Sequence, residues 1–319
     1  MSTQASDDAG NVPNIPIPAH PRTRHAPLPW QQPKAAEEDP DAPRRVAAIL
    51  QSPSYREAEH DVDFLHRDEL RGLRLQLEFL KPELLLAEHQ IQHTIVVVGS
   101  TRILEPGAAR RQLETLIAKT RADPGDAELA RAVKVAERIL AKSCYYEVAR
   151  EFGRLVGSGA ASRSWQAVVM TGGGPGIMEA ANRGAFDAGK KSIGLNISLP
   201  YEQYPNPYVT PELCFSFRYF ALRKLHFLHR AKALVAFPGG YGTFDELFEV
   251  LALIQTRKVT PIPIVLVGEA YWRKAFDVDF LVAEGVIDEE DRDLFWYAET
   301  APEIWEGILH WHSLSGETP

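Results

Sequence analysis

Short apolar runs rich in β-branched residues recur along the chain and alternate with longer stretches in which apolar residues follow a helical spacing. Runs of this kind are typical of strands that are buried on both faces of a sheet. The strand candidates are TIVVVGSTR (94–102), QAVVMT (166–171), SIGLNI (192–197), LCFSF (213–217), ALVAF (233–237) and PIVLV (263–267). Because strands and helices alternate, the pattern predicts an α/β protein with a doubly wound parallel sheet and helices on both faces.

The same pattern divides the chain into segments. Residues 1–40 are rich in proline, which predicts a disordered tail. Residues 41–90 carry leucines and charges at helical spacing, which predicts an N-terminal helical extension. Residues 91–319 hold the strand candidates and are predicted to form the main domain. The helical stretch after the first strand is longer than one crossover needs, so about 104–145 is predicted to be a helical insertion.

Composition narrows the possible partners and environments. A net charge of −8 gives no sign of a nucleic-acid-binding surface. No apolar run approaches the roughly 18 residues that span a bilayer, so no membrane partner is expected. The two cysteines, Cys144 and Cys214, form no paired motif, which favours a reducing cytoplasm. The ten histidines show no metal-binding spacing, so no metal is expected.

Two glycine-rich loops follow strand candidates and open helices: TGGGPGIMEAAN (171–182) and PGGYGTFDELFE (238–249). Glycines let the backbone approach a ligand closely, and free N–H groups at a helix start attract an anion. The candidate phosphate-binding residues are Gly172, Gly173, Gly174, Gly176, Gly239, Gly240, Gly242 and Thr243. One loop alone is explained equally well as a tight turn without a ligand. Two loops at the carboxyl ends of strands in one sheet favour a binding site.

Other phosphate-binding motifs do not fit these loops. The dinucleotide fingerprint GxGxxG fails in the first loop at Ile177 and in the second at Asp245, which disfavours an NAD enzyme. A Walker-like run, GAFDAGKK, has Lys191 where Ser or Thr would bind magnesium, and no strand precedes it.

The motifs GGGPGIME and PGGYGTFDE, with FALRK (220–224) between them, resemble the LOG ("Lonely guy") family over roughly residues 94–310. These are cytokinin riboside 5′-monophosphate phosphoribohydrolases, formerly mislabelled lysine decarboxylases. The resemblance implies a Rossmann-like, LOG-type nucleotide-binding catalytic domain over 91–319. It also implies that Arg223 of FALRK and Glu246 of PGGYGTFDE form the catalytic pair.

The implied reaction is hydrolysis of the N-glycosidic bond of a nucleoside 5′-monophosphate to free base and ribose 5-phosphate, with no cofactor. The implied partners are that substrate and further copies of the chain, because the family's active sites lie near a dimer interface. Phe220-Ala221 replaces the Met-His of plant-type members, and the added helices suggest the longer bacterial branch. The preferred base, cytokinin or plain adenine, stays open.

From the residues alone, each candidate has a second interpretation. Thr243 and Glu246 have the spacing of a capping box, in which the glutamate only ties down the helix start. Arg223 falls on a basic helical face that solvent alone would explain. Lys224 and Ser100, which closes the first strand, are weaker candidates for contacts to the nucleotide. The alternative function is a non-catalytic nucleotide-binding or carrier protein on the same fold.

Overall fold

The computed structural model of the chain describes residues 32–158, 166–200 and 204–314. The chain divides into two compact units, Met1–Arg71 and Gly72–Pro319. Most of the tail predicted for 1–40 lies outside the described residues.

The first unit contains short helices held by local interactions. They are α1 (Ala42–Gln51), α2 (Val62–Leu65) and single 3₁₀ turns at Pro53–Tyr55, Ala58–His60 and Asp68–Leu70. The carboxylate of Asp61 accepts a hydrogen bond of 3.1 Å from the Phe64 N–H and so caps α2.

The second unit alternates helices and strands, as the apolar pattern predicts. The helices are α3 (Arg71–Glu88), α4 (Pro106–Ala122), α5 (Ala127–Lys142), α6 (Cys144–Ser158), α7 (Ile177–Asp187), α8 (Phe220–His229), α9 (Tyr241–Gln255), α10 (Glu269–Ala275), α11 (Val278–Ala283) and α12 (Ala301–Leu314). The strands are β1 (His93–Val98), β2 (Ala167–Thr171), β3 (Ser192–Ile197), β4 (Cys214–Phe217), β5 (Ala231–Ala236), β6 (Ile264–Val267) and β7 (Trp296–Ala298). Two 3₁₀ helices, Pro211–Leu213 and Glu289–Leu294, complete the unit.

The strands form one seven-stranded sheet in the order β4-β3-β2-β1-β5-β6-β7. Every pair is parallel, with register partners such as Val98 and Ala236 between β1 and β5. The prediction of a doubly wound parallel α/β sheet is confirmed. The six predicted strands are present, and β7 is an addition that no apolar run indicated.

Each face of the sheet carries a separate apolar core. On one face α6, α7 and α12 pack against the strands through residues such as Phe152, Ile177 and Ile304. On the other face α3, α8, α9 and α10 contribute Leu86, Phe227, Leu247 and Trp272 among others. Strands covered on both faces explain the continuous apolar runs of the sequence.

The division between the units differs from the expected boundary near residue 90. α3 belongs almost entirely to the second unit, because Leu86 and the following Ile91 are buried in the core of the sheet. The stretch predicted as an insertion forms the two helices α4 and α5, which lie in the chain between β1 and α6. No helix in the described part of the chain is long and apolar enough to cross a membrane.

The strand order fixes where a ligand can bind. Chain order runs outward from β1 through β2, β3 and β4 on one side, and from β5 through β6 and β7 on the other. The neighbours β1 and β5 therefore form the switch point of the sheet, where loops leave in opposite directions and open a crevice.

Candidate functional site

A cavity of about 690 Å³ lies at the carboxyl ends of the strands, at this switch point. Its walls come from the loops after β1, β2, β3 and β5, and from α5, α7, α8, α9 and α10. The predicted site residues that line it are Ser100, Gly172, Arg223, Gly239, Gly240, Gly242, Thr243 and Glu246. The other predicted residues, Gly173, Gly174, Gly176 and Lys224, are not among its lining residues.

The loop after β5 presents an open helix start to the cavity. The first hydrogen bond of α9 runs from the Phe244 N–H to the Gly240 carbonyl, and no side chain caps this end. A Cβ atom built on Gly240 or Gly242 would meet nothing within 4 Å. The first N–H groups of α9 and its positive dipole end are therefore accessible to an anion.

Tyr271 of α10 fixes the position of this loop. Its hydroxyl donates a hydrogen bond to the Gly239 carbonyl, and its ring lines the cavity. A Cβ atom on Gly239 would lie 2.0 Å from Thr243 Oγ1, so the loop passes too close to α9 for any other residue.

Arg223 of α8 and Glu246 of α9 face each other across the cavity wall. Arg223 Nη2 lies 3.5 Å from Glu246 Oε1, and the two side chains are only 14% and 9% exposed. Arg223 enters from the helix between β4 and β5, and Glu246 from the helix that follows β5. The topology thus joins the two residues that the resemblance to the LOG family singles out.

Burial dominates the electrostatics of this pair. Burial raises the pKa of the Glu246 carboxyl to about 7, although the charges of Arg223 and Lys224 act in the opposite direction. Burial also lowers the pKa of the Arg223 guanidinium, against the attraction of Glu246 and Asp245. A carboxyl in a cleft whose pKa burial raises in this way is a candidate functional group.

Lys224 of α8 contacts two carboxylates of α9. Its Nζ is 2.7 Å from Asp245 Oδ1 and 3.4 Å from Glu249 Oε2. These contacts tie α8 to α9 beside the Arg223 pair, and they engage the ammonium group with Asp245, which lines the cavity, although Lys224 itself does not.

The capping-box interpretation of Thr243 and Glu246 is wrong. The helix α9 begins at Tyr241 with Gly240 as its N-cap, two residues before Thr243. Glu246 therefore lies beyond the first turn, where the helix N–H groups already have carbonyl partners. The buried carboxylate of Glu246 therefore does not cap the start of α9.

The glycines of the loop after β2 serve the packing of the protein. Gly173 and Gly176 have positive φ angles of 68° and 73°. A Cβ atom on Gly173 would lie 2.1 Å from Asn196 Oδ1, and one on Gly176 would lie 2.4 Å from the Ser100 carbonyl oxygen. The Gly174 carbonyl accepts a hydrogen bond of 3.0 Å from the Asn206 amide. Gly172 alone reaches the cavity wall, next to Arg223.

Ser100 joins three loops at the floor of the crevice. Its N–H donates to the Pro238 carbonyl at 3.0 Å, and its carbonyl accepts from the Ile177 N–H at 3.1 Å. Its hydroxyl accepts from the Arg102 N–H at 3.0 Å. The Ser100 hydroxyl is thus engaged within its own loop while it lines the cavity.

The sequence did not indicate several of the residues that line the cavity. They are Arg102, Ile139, Lys142, Met178 and Tyr271, among others. Ile139 and Lys142 come from α5, so the predicted insertion contributes part of the cavity wall. Nothing in the local sequence marks them, because their proximity depends on how the inserted helices fold back.

Within the described ranges, one group of three potential metal ligands lies close together, Glu57, Glu59 and His60. All three side chains are exposed, and they lie in the first unit. Exposed acidic groups of this kind are common on protein surfaces.

Comparison with known proteins identifies the family. The model of the family described as possible lysine decarboxylase matches residues 178–308. The rice protein named cytokinin riboside 5′-monophosphate phosphoribohydrolase LOG is 32% identical over 168 residues, which are 51% of this chain and 65% of the relative. A protein of the same name in Arabidopsis thaliana, LOG3, is 30% identical over 167 residues, 51% of this chain and 74% of the relative. The chain therefore belongs to the LOG family, and its matched relatives are named as phosphoribohydrolases.

Two solved structures resemble the chain at low identity. The structural-genomics target TM1055 has a TM-score of 0.42 at 22% identity, over 68% of this chain and 99% of that one. The Moco carrier protein from Chlamydomonas reinhardtii has a TM-score of 0.40 at 19% identity. The match covers 70% of this chain and 99% of the carrier protein.

Proposed function

We propose that the protein hydrolyses the N-glycosidic bond of a nucleoside 5′-monophosphate and releases the free base and ribose 5-phosphate. The observation that carries this proposal is the buried Arg223–Glu246 pair, which faces a cavity at the switch point of the sheet. A protein that only bound nucleotides would need the glycine loops and would gain nothing from a carboxyl with a pKa near 7.

The phosphate is assigned to the open start of α9. Gly240 and Gly242 leave room for a group that approaches the first N–H donors of this helix. Anions bind at such ends because unpaired N–H groups and the helix dipole act together. The dipole contributes about 0.3–1 kcal/mol, so the N–H donors carry most of this binding.

The chemistry is assigned to Glu246. Cleavage breaks the bond between C1′ and the base nitrogen, and a bond forms between C1′ and a water oxygen. The proton that this water loses balances the one that the departing base takes up. The transition state carries positive charge on the ribose ring, which the nearby carboxylate stabilises. Arg223 supplies a fixed positive charge beside it, for the phosphate or for the base as negative charge develops there.

This role requires the charged form of Glu246. The pKa of this carboxyl is raised to about 7, so the fraction of carboxylate grows as the pH rises through neutrality. We therefore expect kcat/KM to rise with pH and to level off above about pH 8.

The substrate class includes a cytokinin riboside monophosphate and plain AMP. No cofactor enters the proposed reaction, since water is the second reactant. We infer a cytoplasmic location from the nucleotide substrate and the unpaired cysteines, Cys144 and Cys214.

The test is product formation from purified protein. AMP and N6-isopentenyladenosine 5′-monophosphate are incubated with wild type, Glu246→Gln and Glu249→Gln, and both free base and ribose 5-phosphate are measured. We expect Glu246→Gln to reduce kcat by about 10²–10³-fold, as when a group that stabilises a transition-state charge is removed. Glu249 is the matched control, because it lies one turn further along α9 and contacts Lys224 outside the cavity.

Two results would contradict the proposal. Full activity in Glu246→Gln would remove this residue from the chemistry. Nucleotide binding by calorimetry, without base release from either nucleotide, would instead support the non-catalytic carrier.

We also propose that copies of the chain assemble near the cavity mouth. Tyr241 and Phe220 line the cavity and are 96% and 50% exposed, and Leu199 beside them is 42% exposed. Exposed apolar side chains that cluster around a cleft are typical of a protein interface. Light scattering of the purified protein gives the number of copies, and a monomer at micromolar concentration would contradict this assembly.

A further inference from the structure

The helix α3 contacts both ends of the helix that carries Arg223. Two carboxylates of α3, Glu78 and Glu83, approach the start and the end of α8 respectively. α8 is only ten residues long, and Arg223 lies in its first half. Short helices depend on tertiary contacts for their stability, so contacts at both ends decide how firmly α8 is held.

At the start of α8, Glu78 acts as a cap from another helix. Its carboxylate accepts hydrogen bonds from the backbone N–H groups of Arg218 and, at 3.3 Å, Tyr219. Tyr219 is the N-cap of α8, and no side chain of the α8 segment caps this end. A negative charge here also interacts favourably with the positive end of the helix dipole.

At the end of α8, Glu83 forms a partly buried ion pair. Arg230 donates two hydrogen bonds to the Glu83 carboxylate, of 2.5 and 2.8 Å, and each side chain is 16% exposed. Such two-pronged pairs restrict geometry as well as contributing energy. His226 lies between the helices, 1% exposed, with its Nδ1 3.1 Å from Glu83 Oε1 and its ring stacked on Phe79 of α3 at 5.3 Å.

Arg223 itself has few polar contacts that would fix its position. Its closest charged partner, Glu246, is 3.5 Å away, which is longer than a normal hydrogen bond. Its buried Nε has no hydrogen-bond partner among the described residues. Its guanidinium lies 5.3 Å from the Phe227 ring, within the same helix. The location of the guanidinium therefore depends on where α8 is held.

We propose that Glu78 and Glu83 are positioning residues, which hold α8 by its two ends so that Arg223 points into the cavity beside Glu246. This inference rests on the proposed function. It gives α3, which the sequence places in an N-terminal extension, a part in catalysis without contact to the substrate. A displacement of about 1 Å in a catalytic group can reduce a rate about 10²-fold, so modest loosening of α8 has a measurable effect.

A double-mutant cycle tests whether the two carboxylates act through Arg223. Glu78→Ala and Glu83→Ala are each made in wild type and in Arg223→Ala, and kcat/KM is measured well below each variant's Tm. We expect each substitution to lower kcat/KM about 10- to 100-fold in wild type and less than about twofold in Arg223→Ala. Glu88→Ala is the matched control, an exposed carboxylate on the same helix, and leaves kcat/KM unchanged in both backgrounds.

A general loss of stability would lower activity by the same factor in both backgrounds, and that result overturns the proposal. Unchanged kcat/KM when Glu78→Ala or Glu83→Ala is made in the wild-type background overturns it as well. Hydrogen exchange gives a readout that does not require turnover. Glu78→Ala and Glu83→Ala should speed amide exchange in residues 218–230, and Glu88→Ala should not.

If wild type releases no base, the proposed function fails and the exchange experiment still decides the role of α3. Faster exchange confined to residues 218–230 supports the positioning contacts. Exchange that is unchanged there, or equally raised throughout the sheet, overturns them.

Discussion

Two glycine-rich loops leave the same edge of the sheet, after β2 and after β5, and the surroundings of their glycines differ. In the first loop, Gly173 and Gly176 have left-handed backbone angles, and neighbouring atoms fill the space where a side chain would begin. In the second loop, Gly240 and Gly242 border empty space at the start of α9. In the first loop the glycines are required by the protein's own packing. In the second loop they leave room for a ligand.

This difference separates two reasons for one sequence pattern. A glycine that packing requires is a structural residue, even when it lies a few ångströms from a ligand site. A glycine with open space beside a free helix start has no structural explanation, and a ligand provides one. Alanine substitutions in the two loops should therefore have opposite consequences, and they provide direct tests of the comparison.

The largest effect is expected from Gly176→Ala in the first loop. The new Cβ atom would lie 2.4 Å from a backbone oxygen, in a backbone conformation that disfavours side chains. We expect the free energy of unfolding to fall by about 3 kcal/mol or more. Urea denaturation measures this change, and a loss below about 0.5 kcal/mol would show that the loop is free to move.

Glu246→Gln should have a smaller effect of the opposite sign on stability. The pKa of Glu246 is raised from an ordinary value near 4.5 to about 7 in the folded protein. The stabilisation linked to its proton is therefore complete below about pH 4.5 and is lost as the pH rises through 7. Glutamine has no charge to bury, so at pH 8 the variant should be more stable by on the order of 2 kcal/mol.

Thermal unfolding of both proteins at pH 5 and pH 8 checks this sign. The advantage of Glu246→Gln should be clear at pH 8 and small at pH 5. An inactive variant with a lower Tm at pH 8 would mean that Glu246 stabilises the fold in its charged form. Equal Tm differences at the two pH values would contradict the raised pKa.

The smallest effect on stability is expected from Gly242→Ala in the second loop. This residue lies in the first turn of α9 with nothing within 4 Å of a Cβ atom, and alanine favours helices by up to about 1 kcal/mol. We expect stability to rise by about 0.5 kcal/mol while the affinity for AMP falls about tenfold. Calorimetry of AMP binding tests whether the start of α9 binds the phosphate. Unchanged affinity in Gly242→Ala would show that it does not.

Much of the fold could be predicted because strands buried on both faces leave continuous apolar runs. β7 could not, since its three residues, Trp296–Ala298, are too few to form a pattern. The pairing of Arg223 and Glu246 was implied by the resemblance to the LOG family, and in the structure the helices that carry them flank one strand, β5. The start of α9 was placed too late because Gly240, a residue without a capping side chain, is the N-cap.

The remaining parts of the site depend on distant chain segments. Lys142 and Ile139 reach the cavity because α4 and α5 fold back from the loop after β1. Tyr271 reaches it from the helix that follows β6. Glu78 and Glu83 contact α8 from a helix more than a hundred residues earlier in the chain. Local patterns contain no information on such contacts.

The central position of β1 has a consequence for how the protein folds. β1 pairs with β5, which follows about 140 residues later, and the cavity opens between the loops of these two strands. A chain emerging from the ribosome has no complete binding site until β5 and the start of α9 have been synthesised. Contacts between such distant segments form slowly, because a long loop must close before they contribute. A nucleotide that binds this cavity can therefore stabilise the finished sheet, but it cannot guide the early steps of folding.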